Sequence, residues 1–277
     1  MIKLCFCHSL KRVKALVMIV FFVCCFPQFL FPAFEYKVLS AQSAGVCGIK
    51  TVIKEEAAAV FYNPALIPQK TEISMFHATL YNMNELANSS LAFSTKFFTF
   101  GYNIFGENDF YKEETVVFAT NFRLTPYCKL GISYKSMFLD LGEMDTHTRV
   151  EGIDLGLKVL STAKSCFGIM LSNINRPKIG KTKPEEIYRD FSLGYRQEVI
   201  SNLWLMLEGN KVVGFKAEPR FAVEAQFFDI YTLRTGLAPD TEVFSIGFGL
   251  SDFLDYAYSY HHDLDATHYL NLKINFS

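Results

Sequence analysis

The strand pattern at the end of the chain is the feature that most constrains its fold. In residues 267–276, Leu270, Leu272, Ile274 and Phe276 occupy every second position, and mostly polar side chains lie between them. Successive side chains of a β-strand point to opposite faces, so this pattern predicts a strand with one apolar and one polar face. Such a strand, ending on an aromatic residue, is typical of a transmembrane β-barrel with apolar residues facing lipid.

The same alternation runs through the chain from residue 71 onward, with almost no helical periodicity. We predict about fourteen strands from it. They cover residues 71–80, 89–96, 98–105, 114–123, 127–138, 147–160, 163–173, 187–197, 202–211, 218–228, 230–237, 242–250, 252–261 and 267–276. A water-soluble β-sandwich shows the same alternation, so the period alone leaves both architectures open.

The connections between the predicted strands favour the barrel. Those after even-numbered strands are short, and those after odd-numbered strands are longer and more polar, for example residues 106–113, 174–186 and 211–217. Short turns at one end and longer loops at the other are typical of outer-membrane barrels. The sequence therefore predicts an all-β fold, a single transmembrane antiparallel β-barrel of about fourteen strands. We also expect residues 267–276 to pair with residues 71–80 and close it.

The first 33 residues predict an export signal. A basic region precedes residues 15–26, which are apolar and of the length of a signal-peptide core, and Pro27 and Pro32 end that stretch. An uncleaved helix anchored in the inner membrane is the alternative. Export through a signal peptide predicts a protein of the bacterial outer membrane, whose partners are outer-membrane lipid and the barrel-assembly machinery.

Composition and motifs argue against several other functions. Formal net charge is −1 and no basic stripe is present, so we expect no nucleic-acid partner. Residues 261–268 contain three histidines and two aspartates, which fit either a metal site or a polar turn, and we favour the turn. No nucleophile elbow or phosphate-binding glycine loop occurs. We therefore predict no enzyme activity, no catalytic residues, no metal and no cofactor.

Residues 34–68 differ in character from the strands that follow. Glycines and small residues lead into an acidic, Ala-rich stretch, and an aromatic pair then precedes Asn-Pro-Ala. The residues that define this pattern are Ala44, Gly45, Gly48, Glu55, Glu56, Ala57, Ala58, Phe61, Tyr62, Asn63, Pro64 and Ala65. The segment resembles the mature start of PorV/PorQ-type outer-membrane proteins, which are relatives of the FadL fatty-acid transporters. The C-terminal half resembles the same group in FAVEAQFFDIYTLRTGLAP, FSIGFGL and LDYAYSYHHDLDATHYLNLKI.

We thus predict a three-part chain: residues 1–33 as signal peptide, 34–68 as an N-terminal plug or hatch, and 69–277 as the outer-membrane barrel. The resemblance implies that residues 34–68 fold inside the barrel or at its periplasmic mouth. A barrel of about fourteen strands encloses more space than its inward side chains readily fill, so a small-residue segment can pack there. We expect a helical turn over residues 55–60. The plug and ligand-gating residues implied by the resemblance are Phe61, Tyr62, Asn63, Pro64 and Ala65. A disordered linker is the alternative.

Two functions follow from the resemblance and remain open. One is passive transport of small hydrophobic molecules; the other is docking of secreted cargo or of a secretion-system protein through loops such as residues 174–186 and 211–217. A secreted soluble β-sandwich with a binding or structural role is the third hypothesis. At the end of the chain, the residues expected to serve barrel closure and to form the assembly signal are Leu270, Leu272, Ile274 and Phe276.

Overall fold

Fourteen antiparallel strands close into one barrel. The structure is a computed structural model that describes residues 33–34, 38–107, 111–142, 146–180 and 184–276. The barrel strands are β1 (Thr71–Thr79), β2 (Ala87–Ser94), β3 (Thr99–Glu107), β4 (Tyr111–Thr125), β5 (Cys128–Leu141), β6 (Thr146–Thr162), β7 (Ser165–Leu171), β10 (Asp190–Ile200), β11 (Leu203–Val212), β12 (Ala217–Phe227), β13 (Tyr231–Ala238), β14 (Val243–Leu250), β15 (Leu254–His261) and β16 (Thr267–Phe276). A two-stranded hairpin, β8 (Lys178–Ile179) with β9 (Glu185–Glu186), lies within one connection.

The barrel closes between its first and last strands. Thr71 lies opposite Phe276 and Thr79 lies opposite His268, with every residue between them in register. The predicted all-β barrel is therefore confirmed. The β-sandwich hypothesis is wrong, because all fourteen of these strands belong to one closed sheet rather than to two packed sheets. The predicted signal peptide lies outside the described residues except for Ala33.

Two predicted strand boundaries shift for identifiable reasons. The strand predicted at 163–173 ends at Leu171, because Asn173 takes a left-handed backbone conformation with φ of 54°. The strand predicted at 187–197 begins only at Asp190. Ile187 instead packs in the preceding loop against Met137 and Val150. The prediction therefore placed Ile187 in the strand, whereas it belongs to the loop that precedes it.

The two faces of the barrel wall differ as the alternation predicts. On β16, Leu270, Leu272 and Ile274 are exposed on the outer face, while Asn271 and Lys273 are buried inside. Such an arrangement suits a barrel with an apolar exterior and a polar interior. Among the described residues, no helix is long and apolar enough to span a membrane.

The two ends of the barrel also differ. At the end where β1 starts and β16 stops, the connections are residues 95–98, 126–127, 163–164, 201–202, 228–230 and 251–253; we call it the short-turn end. The opposite, long-loop end carries residues 80–86, 172–189, 213–216, 239–242 and 262–266 among its connections. Within the longest of these, Ile179 and Ile187 pack against Met137 and Val150, so this loop folds onto the barrel rim.

Candidate functional site

The space inside the barrel is occupied by residues 38–68, which we call the luminal segment. It contains the short helix α1 (Ala41–Ala44) and two single turns of 3-10 helix, Ala57–Phe61 and Pro64–Leu66. Almost all of its residues are buried. The helical turn expected over 55–60 is therefore 3-10 rather than α in form and begins two residues later, because Glu56 is extended and its side chain is used elsewhere.

Inward-facing glycines let the luminal segment approach the barrel wall closely. A Cβ added to Gly236 would lie 2.6 Å from the carbonyl carbon of Val46, and one added to Gly101 would lie 2.7 Å from the ring of Phe61. The wall glycines in such contact with the segment are Gly101, Gly131, Gly156, Gly168, Gly194, Gly236 and Gly247. Because any side chain at these positions meets the segment, the wall is shaped to hold it.

The Asn63-Pro64-Ala65 turn lies against the wall formed by β4, β5 and β6. The side-chain carbonyl of Asn63 accepts a hydrogen bond from the backbone N–H of Ala65 at 3.1 Å, and its amide donates to the carbonyl of Thr51 at 3.2 Å. From the wall, Asn121 donates to the carbonyl of Ile67 at 2.8 Å. Asn63 thus caps the Pro64–Leu66 turn and ties two parts of the luminal segment together.

A wall carboxylate holds the middle of the luminal segment. One oxygen of Glu208 accepts from the backbone N–H groups of Lys50 and Thr51, at 3.0 and 2.9 Å, and from the Thr51 hydroxyl at 2.6 Å. The ammonium of Lys50 forms a buried ion pair with Asp190 on the neighbouring strand. These buried charge-assisted bonds fix the backbone of the segment to β10 and β11.

Glu55 anchors the segment to β5 and β6, on the same side of the barrel as β10 and β11. It lies 2.9 Å from the ammonium of Lys129 and 3.0 Å from that of Lys158. Burial alone raises the pKa of Glu55, but the two ammonium groups outweigh burial and hold that pKa below its ordinary value. Glu55 therefore stays ionised over the whole neutral range, and its tie to the wall persists there.

A second group of buried charges lies nearer the short-turn end; we call it the Arg234 cluster, and it comprises Glu56, Arg196, Glu224, Arg234, Asp255 and Lys273. The Arg234 guanidinium contacts Glu224 at 2.7 Å and Asp255 at 2.6 Å. Lys273 bridges Asp255, at 2.5 Å, to Glu56 of the luminal segment, at 3.4 Å. The hydroxyl of Tyr62 donates to the same Glu56 at 2.5 Å. One network thus joins the segment to β12, β13, β15 and β16.

A cavity of about 120 Å³ lies at the long-loop end of the luminal segment; we call it the long-loop cavity. Its apolar lining comes from both the segment and the wall and consists of Phe34, Leu39, Phe61, Val117, Met137 and Val212. An apolar cavity of about 150 Å³ is large enough to bind benzene. The long-loop cavity is somewhat smaller than this, so it has room for at most one small molecule. Its lining also contains polar and charged residues, namely Asn103, Glu113, Thr115, Lys135, Ser172, Asn173, Tyr188 and Asp190.

The residues predicted as plug and gate lie in three different surroundings, and their gating role stays a prediction. Phe61 lines the long-loop cavity, Tyr62 reaches the Arg234 cluster, and Asn63, Pro64 and Ala65 pack on wall glycines. The residues predicted at the end of the chain, Leu270, Leu272, Ile274 and Phe276, lie on the outer face. The structure does not test their role as an assembly signal, which stays a prediction. Within the described ranges, no three His, Cys, Asp or Glu residues are grouped to hold a metal ion.

Sequence reasoning did not identify the polar wall residues that hold the luminal segment. A signal was present, since Glu208, Glu224, Arg234, Asp255 and Lys273 all occupy polar-face positions of alternating strands. Inward-facing glycines in several strands were a second signal. Inward polar residues also line water-filled barrels, so only the glycines indicate the close approach of another backbone.

The fold defined by this closed barrel is shared with solved structures of channels for hydrophobic compounds. The toluene transporter TbuX of Ralstonia pickettii is similar with a TM-score of 0.61 at 11% identity, over 88% of this chain and 100% of that one. The CymD monoaromatic hydrocarbon channel gives 0.57 at 12% identity, over 87% and 99%.

A FadL homologue of Pseudomonas aeruginosa gives a TM-score of 0.56 at 12% identity, over 89% of this chain and 100% of that one. No family model and no curated protein sequence matches the chain. At these identities the likeness establishes the fold: a fourteen-stranded barrel of the kind found in FadL-type channels. The finer resemblance to PorV and PorQ stays a prediction.

Proposed function

We propose that the protein is an outer-membrane channel that admits small hydrophobic molecules passively. The observation that carries this proposal is the long-loop cavity, because its apolar lining includes Phe61 of the luminal segment beside Asn63-Pro64-Ala65. A ligand in the cavity thus touches the element that fills the barrel. The shared fold supports the proposal, since the similar structures include a toluene transporter and a monoaromatic hydrocarbon channel.

The proposal assigns the two ends of the barrel to the two sides of the membrane. Outer-membrane barrels place short turns in the periplasm and longer loops outside the cell. The long-loop cavity then opens toward the outside, and the Arg234 cluster lies toward the periplasm. A molecule bound in the cavity passes inward only when part of the luminal segment moves, so the segment acts as the gate.

The apolar exterior provides a test of whether the barrel lies in a membrane. A lysine at the bilayer midplane of a barrel costs about 2–4 kcal/mol, and one near the interface costs about 0–1 kcal/mol. We expect Leu270→Lys, in the middle of β16, to destabilise the protein strongly, and Ile200→Lys, at the short-turn rim, to have little effect. Urea unfolding in lipid vesicles measures both, and equal effects of the two lysines would argue against a lipid-facing belt.

Uptake of toluene tests the transport function. We expect cells with intact lipopolysaccharide that produce the protein to take up labelled toluene faster than cells carrying an empty vector. Phe61→Ala removes the aromatic side chain that links the cavity to the luminal segment. It should lower the increase in toluene uptake over the vector control several-fold. Phe97→Ala, which truncates an exposed aromatic at the short-turn end, is the matched control. No gain with the unaltered protein would reject the channel.

Docking of a secreted or secretion-system protein is the second candidate function. It is favoured by the filled lumen and by two exposed apolar side chains, Val213 and Phe215, in a connection at the long-loop end. It predicts toluene uptake equal to that of the vector control. The PorV/PorQ resemblance supports it, and it predicts that Phe215→Ser weakens secretion of a cargo while leaving the barrel folded.

A further inference from the structure

Phe34, the first residue after the predicted export signal, is part of the folded barrel. Residues 33–277 form one compact unit, so the signal predicted over residues 1–33 ends within one residue of its start. The side chain of Phe34 lines the long-loop cavity. It also packs against the apolar group at the long-loop rim that consists of Met137, Val150, Ile179 and Ile187.

The backbone of Phe34 is strained as long as another residue precedes it. Its φ angle is 63°, in the left-handed region that bulky residues rarely adopt. Part of the strain in this region comes from the carbonyl of the preceding residue, which approaches Cβ. A chain that begins at Phe34 has no preceding carbonyl and is free of this contact.

The nitrogen of Phe34 points at a buried carboxylate. It donates to Oε1 of Glu113 at 2.9 Å, and the same oxygen accepts from the hydroxyl of Tyr111. Glu113 is only 4% exposed. The other charged residues that line the long-loop cavity, Lys135 and Asp190, each form an ion pair with a further residue. As the first atom of a chain, the Phe34 nitrogen carries a positive charge, which turns its bond to Glu113 into a stronger, charge-assisted one.

A cut farther along, after Ala41, would remove residues that the fold uses. Ser40 is buried, and its hydroxyl caps α1 and donates to Glu56. Val38 and Leu39 pack against an apolar group on the wall. These residues therefore belong to the mature protein.

We infer that the mature chain begins at Phe34 and that Glu113 binds its α-ammonium group inside the barrel. The inference rests on the export signal predicted over residues 1–33, which a peptidase of the export pathway removes. Water splits the peptide bond between Ala33 and Phe34: its oxygen joins the carbonyl carbon of Ala33, and one hydrogen joins the nitrogen of Phe34. The proton of the new carboxyl group then passes to the amine, which leaves a carboxylate on the signal and an ammonium on the barrel.

The first residue of the mature protein tests the inference directly. Cells that produce the full chain supply protein purified from their membranes, and N-terminal sequencing together with intact mass identifies where it starts. We expect Phe34 with an unmodified amino group. Any other first residue would overturn the inference.

Chemical labelling tests whether Glu113 holds the amino group. A water-soluble, amine-reactive ester labels the folded barrel in detergent at neutral pH, and mass spectrometry follows the N-terminal peptide. An ion-paired ammonium yields little free amine, so we expect Phe34 to react about tenfold more slowly in the unaltered protein than in Glu113→Gln. Glu114→Gln is the matched control, because Glu114 follows Glu113 in β4 but binds Tyr102 and Lys112. It should leave the labelling rate unchanged.

A second measurement needs no variant and stands even if Glu113→Gln does not fold, which heat-modified gel mobility reveals. Unfolding the unaltered protein in urea separates Phe34 from Glu113 and should raise the labelling rate at least about tenfold. Equal rates in folded Glu113→Gln and in the unaltered protein, or equal rates before and after unfolding, would overturn the inference. Toluene uptake tests the channel function separately.

Discussion

Deletion of residues 38–66 is expected to turn a closed barrel into an open pore. The luminal segment packs on inward-facing glycines and is bonded to carboxylates and ammonium groups around the wall. Without it, these wall groups face a wide polar lumen that water fills, as in large barrels that lack an internal element. We expect the deletion variant to conduct ions in planar bilayers and to admit arabinose into proteoliposomes, and we expect the full protein to exclude both.

A second deletion controls for the loss of chain. Removing residues 178–186, which contain the β8–β9 hairpin, shortens the longest loop and leaves the luminal segment in place. This variant should stay closed to ions and arabinose. Equal conductance of the full protein and of the variant lacking 38–66, with both folded, would show that the segment does not close the barrel.

The Arg234→Met substitution is expected to cost about 3–5 kcal/mol of folding free energy. Arg234 is buried and neutralises Glu224 and Asp255, with its guanidinium 2.7 and 2.6 Å from their oxygens. Its removal leaves two carboxylates inside the barrel with only Arg196 and Lys273 beside them. Urea unfolding in lipid vesicles measures the loss.

Arg149→Met provides the comparison for an exposed ion pair. Arg149 pairs with Glu151 at 2.9 Å, but both side chains are more than half exposed, at 56% and 52%. Exposed pairs contribute about 1 kcal/mol or less, so this variant should unfold almost as the parent does. A loss for Arg234→Met no larger than that for Arg149→Met would mean that the Arg234 cluster does not hold the barrel together.

The barrel was predictable because lipid and lumen impose a period of two on every strand. In β16 the alternation of Leu270, Asn271, Leu272 and Lys273 assigns each residue to a face before any contact is known. The difference in length between short turns and longer loops predicted which connections lie at which end of the barrel. Ile187 was wrongly assigned to a strand, because an apolar residue that packs in a folded loop cannot be told from a strand residue by sequence pattern.

The contacts of the luminal segment were much harder to predict than the strands. The pattern places Asp190 and Lys273 on the inner face, but it does not say which residue of the segment each one binds. Lys50 meets Asp190 at a separation of 140 residues, and Lys273 meets Glu56 at 217. Such pairs depend on how the segment is folded inside the closed barrel. Only the resemblance placed residues 34–68 there.

Heat-modified gel mobility after membrane fractionation tests most directly whether this chain is a membrane barrel. We predict that the protein sediments with the outer membrane, dissolves only in detergent, and migrates faster before boiling than after it, because a closed barrel resists unfolding in the gel. A protein that dissolves without detergent and shows the same mobility before and after boiling would contradict the account.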